Sequence, residues 1–319
     1  MNFEAFSQSK YRDGVRDGDD ATLIIPGVLV AVLDGATDPL GAKKNGRSPG
    51  QFAANCVARE CAAMFLKPEA RSLPGAEIIG RLADNLRNGI ATQGFAGHPS
   101  TTLALALFGP DSVRLITIGD SGIRVNGDQV YRHCKLIDDI STMARVQVFS
   151  QLSARVANKD ELEMATRGVA FLGVDQAVAE AILTTDQAND VVSAVQASFA
   201  EYNIASDIEH FLRAGIKSQS RFANMAGHPL GFSALNGTAP SMDDVHDVTL
   251  PRTDLKTLEL FTDGYASLPA GSSVADWEAE HSAVEAADFH KIGAYRSVKG
   301  STSGEVFDDR SIVCVRLAP

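Results

Sequence analysis

The 319-residue sequence lacks the features of several large protein classes. Its 29 Lys+Arg residues face 40 Asp+Glu residues, for a formal net charge of −11, so it has no basic excess to bind nucleic acid or an anionic membrane surface. No segment approaches about 18 continuous apolar residues, and residues 1 to 14 lack the apolar core of a signal peptide. We therefore predict a cytoplasmic protein with no nucleic-acid or membrane partner.

Cysteine is also scarce. The four cysteines form no CxxC pair, and no His/Cys cluster has the spacing of a zinc site. Three of the four fall on apolar faces, which favours buried thiols over a redox role. Zinc-dependent and disulfide-stabilised architectures are thus not predicted.

The hydrophobic residues, 45% of the chain, suffice for a substantial core. Val28 to Leu33 is a continuous apolar run that suits a strand covered on both faces. Ser48-Pro49-Gly50-Gln51 predicts a capping box and a helix start, and a second helix follows Pro74. Alternating segments from Thr102 to Tyr131, with a hairpin turn at Asn126-Gly127, predict an antiparallel meander.

Residues 138 to about 222 have helical periodicity and predict a helical insert or flap. Strand patterns return afterwards at 231–235, 248–250, 258–262 and 312–317, with a helix predicted at about 274–291. Sheet segments therefore flank the insert on both sides. We predict one catalytic domain over residues 1–319, an α+β layered sandwich of antiparallel sheets flanked by helices.

Acidic residues lie at five places where an apolar run begins or ends. They are Asp34, Asp120 and Asp263 after such runs, and the pairs Asp19-Asp20 and Asp308-Asp309 before them. Any single Asp-Gly is better explained as a turn alone, because both residue types favour turns. Their joint recurrence at strand ends predicts that the carboxylates share one rim of the sheets.

A shared rim of carboxylates predicts a bound cation, because unpaired like charges in a partly dry cleft repel one another. Ligands that are all oxygen favour Mn²⁺ or Mg²⁺ over zinc. Asp34 is the best candidate to bridge two ions, and Gly35 could offer a backbone carbonyl at close range. Two ions about 3.5–4 Å apart can activate a water and neutralise a phosphate, so the pattern predicts a hydrolase.

Six motifs in order resemble those of the metal-dependent type 2C protein phosphatases, the PPM family, and are most similar to its bacterial-type members. They are Gly18-Asp19-Asp20-Ala21, Val32-Leu33-Asp34-Gly35, Pro99-Ser100-Thr101-Thr102, Gly119-Asp120-Ser121, Phe261-Thr262-Asp263-Gly264 and Asp308-Asp309-Arg310-Ser311. The resemblance covers residues 12 to 317 without the insert. It implies an αββα four-layer sandwich with a binuclear Mn²⁺ or Mg²⁺ centre that hydrolyses phosphoserine and phosphothreonine in proteins.

The resemblance also implies a metal ligand set. Asp34 would bridge both ions and Gly35 would bind one through its carbonyl. Asp19 matches a ligand of one ion, and Asp263 and Asp308 match ligands of the other. Asp120, together with Asp263, matches the acids that hold a weaker third ion in the family.

Two further roles, in the attack on phosphate, are implied for Asp20 and Arg16. Asp20 would hold the attacking water, and Arg16 would contact the phosphate. The family's arginine usually precedes the first acid by four residues, whereas Arg16 precedes Asp19 by three. Either the loop is one residue shorter or Asp20 takes the ligand place. Arg12 is the alternative phosphate contact, and a solvated Arg16 is the alternative without a role.

The chain departs from the family pattern in the half of the site that faces the substrate. Ala36 stands where eukaryotic members carry a histidine proposed as general acid, and Ala36 cannot donate a proton. His228 is a candidate replacement, although a lone loop histidine is more often solvated. Gly122 replaces an arginine, and the segment from Lys135 replaces an Asp-His pair.

The leading hypothesis is a phosphatase of phosphoproteins in which a metal-activated water attacks without a phosphoenzyme intermediate. One alternative keeps the metals but acts on a small phosphorylated metabolite. Another is a regulatory or binding module on the same fold with little catalysis. The insert is expected to influence substrate choice or to contact a partner or a second copy of the chain.

Overall fold

The structure is a computed structural model that describes residues 1–14, 16–36, 43–95 and 98–317. Its strands, in chain order, are β1 (Asn2–Gln8), β2 (Ala21–Ile25), β3 (Leu29–Leu33), β4 (Leu103–Phe108), β5 (Ser112–Ile118), β6 (Gly122–Val125), β7 (Gln129–Tyr131), β8 (Val245–Pro251), β9 (Thr257–Phe261) and β10 (Arg310–Arg316). Its α-helices are α1 (Pro49–Phe65), α2 (Gly75–Gln93), α3 (Leu136–Ser153), α4 (Lys159–Leu172), α5 (Val174–Ala179), α6 (Thr185–Ser198), α7 (Ala205–Ala214) and α8 (Val274–Ala287).

The strands form two antiparallel sheets of five strands each. Sheet 1 has the order β2-β3-β4-β5-β8, and sheet 2 has the order β1-β10-β9-β6-β7. The strand alternation explains how they stack, since successive side chains point to opposite faces. Leu29, Ala31 and Leu33 of β3 pack with α1 and α2, whereas Val30 and Val32 pack between the sheets.

Helix α8 covers the outer face of sheet 2. Its Trp277, fully buried, packs with Phe261 of β9 and Ile312 of β10. The layers therefore run α1 and α2, sheet 1, sheet 2, α8. This arrangement confirms the predicted α+β fold class, an αββα sandwich.

The antiparallel register brings the acidic segments to one edge. Ala21 at the start of β2 pairs with Leu33 at the end of β3, and Phe261 at the end of β9 pairs with Ile312 near the start of β10. When one strand ends where its antiparallel neighbour begins, residues after the first and before the second meet at the same edge. The register therefore collects acids that are distant in sequence.

The helical insert extends from α3 to a 3₁₀ segment at Ile216–Phe222. Its apolar residues, among them Ile140, Val191 and Phe211, form a cluster distinct from those of the sandwich. It starts two residues before the predicted boundary. It enters the chain between β7 and β8, which belong to different sheets.

Several sequence-based expectations are wrong in detail. The meander is interrupted, because β4 and β5 lie in sheet 1 but β6 and β7 lie in sheet 2. Residues 231–235 make only isolated bridges, such as Leu235 with Thr101, because the chain runs there as a connection rather than along a strand. Ser48 caps α1 by accepting from the Gln51 amide, but the Gln51 side chain donates to the Gly18 carbonyl at 3.3 Å, so the reciprocal half of the capping box is absent.

Three cysteines, Cys56, Cys61 and Cys314, are buried free thiols, as predicted, and Cys134 is exposed.

Strand β1 was not predicted; its polar residues, such as Glu4 and Gln8, hide the strand pattern, and its pairing with β10 defines it. Within the described ranges, the helices are all too short or too polar to cross a lipid bilayer.

Candidate metal centre

Asp34 follows β3 and is held by the motif at Thr101-Thr102. The Thr102 amide and the Thr101 hydroxyl donate to the Asp34 carbonyl at 2.9 and 2.8 Å. The Asp34 amide donates to the Thr102 hydroxyl oxygen at 3.1 Å. None of these three bonds uses the Asp34 carboxylate, which lies at the sheet edge.

Gly35 lies against the first turn of α1. A Cβ atom on Gly35 would come within 2.5 Å of the Gly50 backbone and of the Asp19 carbonyl oxygen. Only glycine allows such an approach. The absence of a side chain at Gly35 thus brings the loop after β3, the Asp19 segment and α1 together.

Three carboxylates that are distant in sequence meet at this edge. Asp34, Asp120 and Asp263 each place an oxygen within 4.8 Å of the other two. Burial and then the negative charge of Asp263 hold the pKa of Asp34 well above its usual value. Burial, followed by the charges of Asp120 and Asp308, raises the pKa of Asp263 to about 7. The cluster is electrostatically strained unless a cation or a proton enters it.

Asp20 lies beside these three acids. Its Oδ2 accepts a 2.9 Å hydrogen bond from the Thr262 hydroxyl, whereas its buried Oδ1 has no partner among the described residues. Burial and the nearby Asp309 charge raise the pKa of Asp20 to about 8. Asp20 therefore presents one oriented, unsatisfied oxygen.

Asp19 and Asp309 hold the loop before β2. The Asp19 carboxylate accepts from the Ser48 hydroxyl, and its amide donates to Asp309 Oδ2 at 3.0 Å. The Lys10 amide donates to Asp309 Oδ1 at 2.6 Å. Both oxygens of Asp309 are thus engaged by backbone amides, while Asp308 is the member of its pair whose charge acts on Asp34 and Asp263.

Two lysines that sequence reasoning missed also enter the cluster. Lys135 Nζ lies 2.8 Å from Asp120 Oδ2, and Lys299 Nζ lies 2.7 Å from Asp308 Oδ2. Burial acts to raise the pKa of Asp120, but the Lys135 ammonium holds it below its usual value. Asp120 Oδ1 remains buried without a partner among the described residues. No spacing or motif in the sequence signals either lysine.

Arg16 lines a polar cleft and is not part of the acidic cluster. The cleft is also lined by Asp20, Arg47 and Gln51. The guanidinium of Arg16 is 4.6 Å from the Tyr11 ring centroid and pairs with exposed Asp13 at 3.2 Å. Arg16 is thus exposed and able to reach a ligand beside Asp20.

Arg12, His228 and Ala36, the other residues considered for the substrate side of the site, all contact other parts of the protein. Arg12 pairs with Glu285 at 2.8 Å and donates to the Thr302 carbonyl. His228 accepts from the Leu230 amide, and its Nε2 lies 3.8 Å from Asp207 of α7. Ala36 is exposed, and its amide donates to the Ser100 carbonyl.

The cluster fits divalent cations that prefer oxygen ligands. Carboxylates converge there, two of their buried oxygens lack partners among the described residues, and three of the acids have raised pKa values. A hard cation such as Mn²⁺ or Mg²⁺ would satisfy these oxygens and relieve the repulsion. The donor set therefore suits the ions that the sequence predicted.

No protein-family model and no curated protein matches the chain. Solved structures do match. Serine/threonine phosphatase Stp1 from Staphylococcus aureus is 11% identical, with a TM-score of 0.47 over 100% of this chain and 96% of that one. The Mycobacterium tuberculosis serine/threonine phosphatase PstP is 16% identical, with a TM-score of 0.43 over 100% and 99%.

A third match is the catalytic domain of PstP in complex with two manganese ions. It is 15% identical, with a TM-score of 0.43 over 99% of this chain and 98% of that one. These structures are similar to the chain in fold at low identity. Evidence for this chain's function therefore lies in its own site residues.

Proposed function

We propose that this chain is a metal-dependent phosphatase that hydrolyses phosphoserine and phosphothreonine in proteins. The observation that carries the proposal is the convergence of Asp34, Asp120 and Asp263 oxygens within 4.8 Å at one sheet edge. Two Mn²⁺ or Mg²⁺ ions bound there would lower the pKa of a water and neutralise charge on the phosphate. The order of the six motifs supports the same reaction class.

Each acid has a distinct role in this proposal. Asp34, at the centre, would hold both ions, and the Gly35 carbonyl would hold one of them. Asp263 and Asp308 would hold one of them. Asp120 would offer Oδ1, which has no partner among the residues that the structure describes, because its other oxygen is bonded to Lys135.

Of the two acids before β2, the contacts favour Asp20 over Asp19 as the residue that faces the reaction. Asp19 is bonded to Ser48, whereas Asp20 has a buried oxygen with no partner in the described ranges, and its charge acts on Asp34. Asp20 would bind an ion or accept a hydrogen bond from the attacking water. Asp19 would then orient the loop through Ser48.

Arg16 would bind the substrate's phosphate. It precedes Asp20 by four residues, and the two side chains line the same cleft. A planar guanidinium can give two parallel hydrogen bonds to a phosphate. In this proposal the phosphate would lie between Arg16 and Asp20.

The test measures hydrolysis of p-nitrophenyl phosphate and of phosphothreonine peptides by the purified chain at saturating Mn²⁺. We expect turnover that EDTA abolishes and that Asp34→Asn lowers by at least about 10²-fold, since Asp34 is central to the site. Asp190→Asn, on an exposed face of α6, is the matched control and should leave turnover unchanged.

Equal turnover by wild type and Asp34→Asn would mean that the site is misassigned. No turnover on any phosphate ester at saturating Mn²⁺ would favour the regulatory module. A panel of sugar and nucleotide phosphates completes the test. A preference for these over phosphopeptides would replace the protein substrate by a small metabolite.

A further inference from the structure

Lys299 links the acidic cluster to a loop that follows α8. Its ammonium lies 2.7 Å from Asp308 Oδ2, and the side chain is mostly buried. The charges of Asp263 and Asp34 also act on it. A lysine therefore occupies part of the space in which a cation bound to Asp308 would lie.

The loop that carries Lys299 is held by the helical insert. Arg145 of α3 donates to three of its carbonyls, those of His290 at 2.6 Å, Lys291 at 2.8 Å and Ser297 at 3.1 Å. Arg145 also pairs with Glu163 of α4, and both side chains are fully buried. This buried pair is a rigid anchor for the loop.

Glu163 and Arg167 both form hydrogen bonds with Gly300, the residue after Lys299. Glu163 Oε1 accepts from the Gly300 amide at 2.7 Å, and Arg167 donates to the Gly300 carbonyl. A Cβ atom on Gly300 would lie 2.5 Å from the Arg145 guanidinium. The peptide units on both sides of Gly300 are thus clamped, which restricts where Lys299 can reach.

The contacts around Gly300 depend on the buried ion pair between Arg145 and Glu163, and removing either charge would affect the other. Taking away one partner of a buried ion pair leaves the other uncompensated, which strongly disfavours the buried arrangement. Loosening Glu163 would therefore release the Gly300 segment from the insert. Lys299 would then lose the support that directs it toward Asp308.

We propose that Lys299 is a tethered cation that competes with a metal ion for Asp308, and that the insert positions it through Arg145, Glu163 and Arg167. The metal affinity of the sandwich then depends on how the insert holds this loop. The inference rests on the metal centre proposed above.

The experiment is calorimetric titration of the full chain with Mn²⁺ alone, after EDTA treatment and dialysis. Lys299→Met should raise the apparent Mn²⁺ affinity by about tenfold, because one positive charge close to the ion is removed. Lys299→Arg keeps the charge and should stay close to wild type. Unchanged or weaker binding by Lys299→Met overturns the competition.

Glu163→Gln tests the role of the insert at a distance from the acids. We expect it to raise Mn²⁺ affinity in the same direction as Lys299→Met. Circular dichroism checks its fold, and Arg167→Met, which removes a more accessible contact with Gly300, carries the same test should Glu163→Gln unfold. If Glu163→Gln and Arg167→Met, which both retain Lys299, bind Mn²⁺ with wild-type affinity, the positioning by the insert is overturned.

Val192→Ala is the matched control within the insert. Val192 is buried in the helical cluster on α6, outside the Arg145 clamp. It should lower stability without changing Mn²⁺ affinity; an equal affinity change there overturns the specific route through the clamp. If wild type binds no Mn²⁺, the metal centre itself fails, whereas binding that no variant alters removes only this inference.

Discussion

At the residue scale, the site is a set of carboxylates held close together against their mutual repulsion. Asp20, Asp34 and Asp263 all have raised pKa values, because burial and neighbouring acids disfavour their charged forms. The Lys135 ammonium offsets the negative charge of Asp120, and the Lys299 ammonium offsets that of Asp308. The remaining negative charge is what a divalent cation would neutralise.

Asp263 gives a prediction with a definite sign in pH. Its folded pKa is about 7, above the ordinary value of 3.8, so the folded state holds this proton more tightly than the unfolded state. In EDTA, its contribution to stability is present at low pH and is lost as pH rises from about 4 to about 7. Asp263→Asn should remove that loss, which amounts to at least about 1 kcal/mol.

Urea unfolding at pH 5 and pH 7.5 in EDTA measures this effect. The difference between wild type and Asp263→Asn should be larger at pH 7.5, with the variant the more stable. Asp190→Asn controls for a general change of surface charge. A pH-independent difference between wild type and Asp263→Asn would show that the carboxyl is not strained.

At the element scale, the position of Asp34 depends on the contact between the end of β3 and the first turn of α1. Gly35 and Gly50 pack backbone to backbone there. Ser48 both caps α1 and donates to Asp19, so the helix start and the loop before β2 are one unit. The sequence indicated the helix start, but not the contacts that tie it to the acids.

Gly35→Ala tests this packing. Its Cβ would lie 2.5 Å from the Gly50 backbone, so the loop or α1 must shift. We expect a loss of about 1–3 kcal/mol in stability, as for other overpacked sites, together with weaker Mn²⁺ binding. Thermal unfolding and calorimetric titration measure the two effects.

Gly80→Ala is the control for Gly35→Ala. A Cβ there meets nothing within 4 Å, and Gly80 lies within α2. Alanine favours helix over glycine by about 1 kcal/mol, so this variant should gain stability with unchanged Mn²⁺ affinity. Similar behaviour of the two variants would argue against a special contact at Gly35.

At the scale of the whole molecule, the acids come from both sheets. Asp34 and Asp120 follow strands of sheet 1, and Asp263 and Asp308 flank strands of sheet 2. A cation bound by these residues would therefore join the sheets at one edge of the sandwich. The insert adds a third connection through the loop that carries Lys299.

Mn²⁺ should accordingly slow hydrogen exchange at several separated segments at once. A ligand at 100 times its dissociation constant stabilises the folded state by about 2.7 kcal/mol. We expect joint protection at the ends of β3, β5 and β9 and at the starts of β2 and β10, measured by mass spectrometry with and without Mn²⁺. The Asp34→Asn variant should show none of it; protection confined to one sheet would contradict a shared site.

The sequence by itself determined which acids lie at the ends of strands, the fold class and the helical character of the insert. Each depends on local pattern: apolar runs that end in aspartate, alternation in strands, and helical spacing. It could not reveal the crossing from β5 in sheet 1 to β6 in sheet 2, because β-strand patterning does not state which strand is the partner. Strand β1 was missed for a different reason, because polar residues such as Glu4 and Gln8 hide its strand pattern and only its pairing with β10 defines it.

Only the tertiary structure decided what each acid contacts. It separated Asp20, one oxygen of which has no partner in the part of the chain that the structure describes, from Asp19, which is bonded to Ser48, although the two are adjacent and identical in type. It also brought Lys135 and Lys299 into the cluster. Burial and charge at a site depend on side chains that arrive from distant segments, and a linear pattern does not encode those distances.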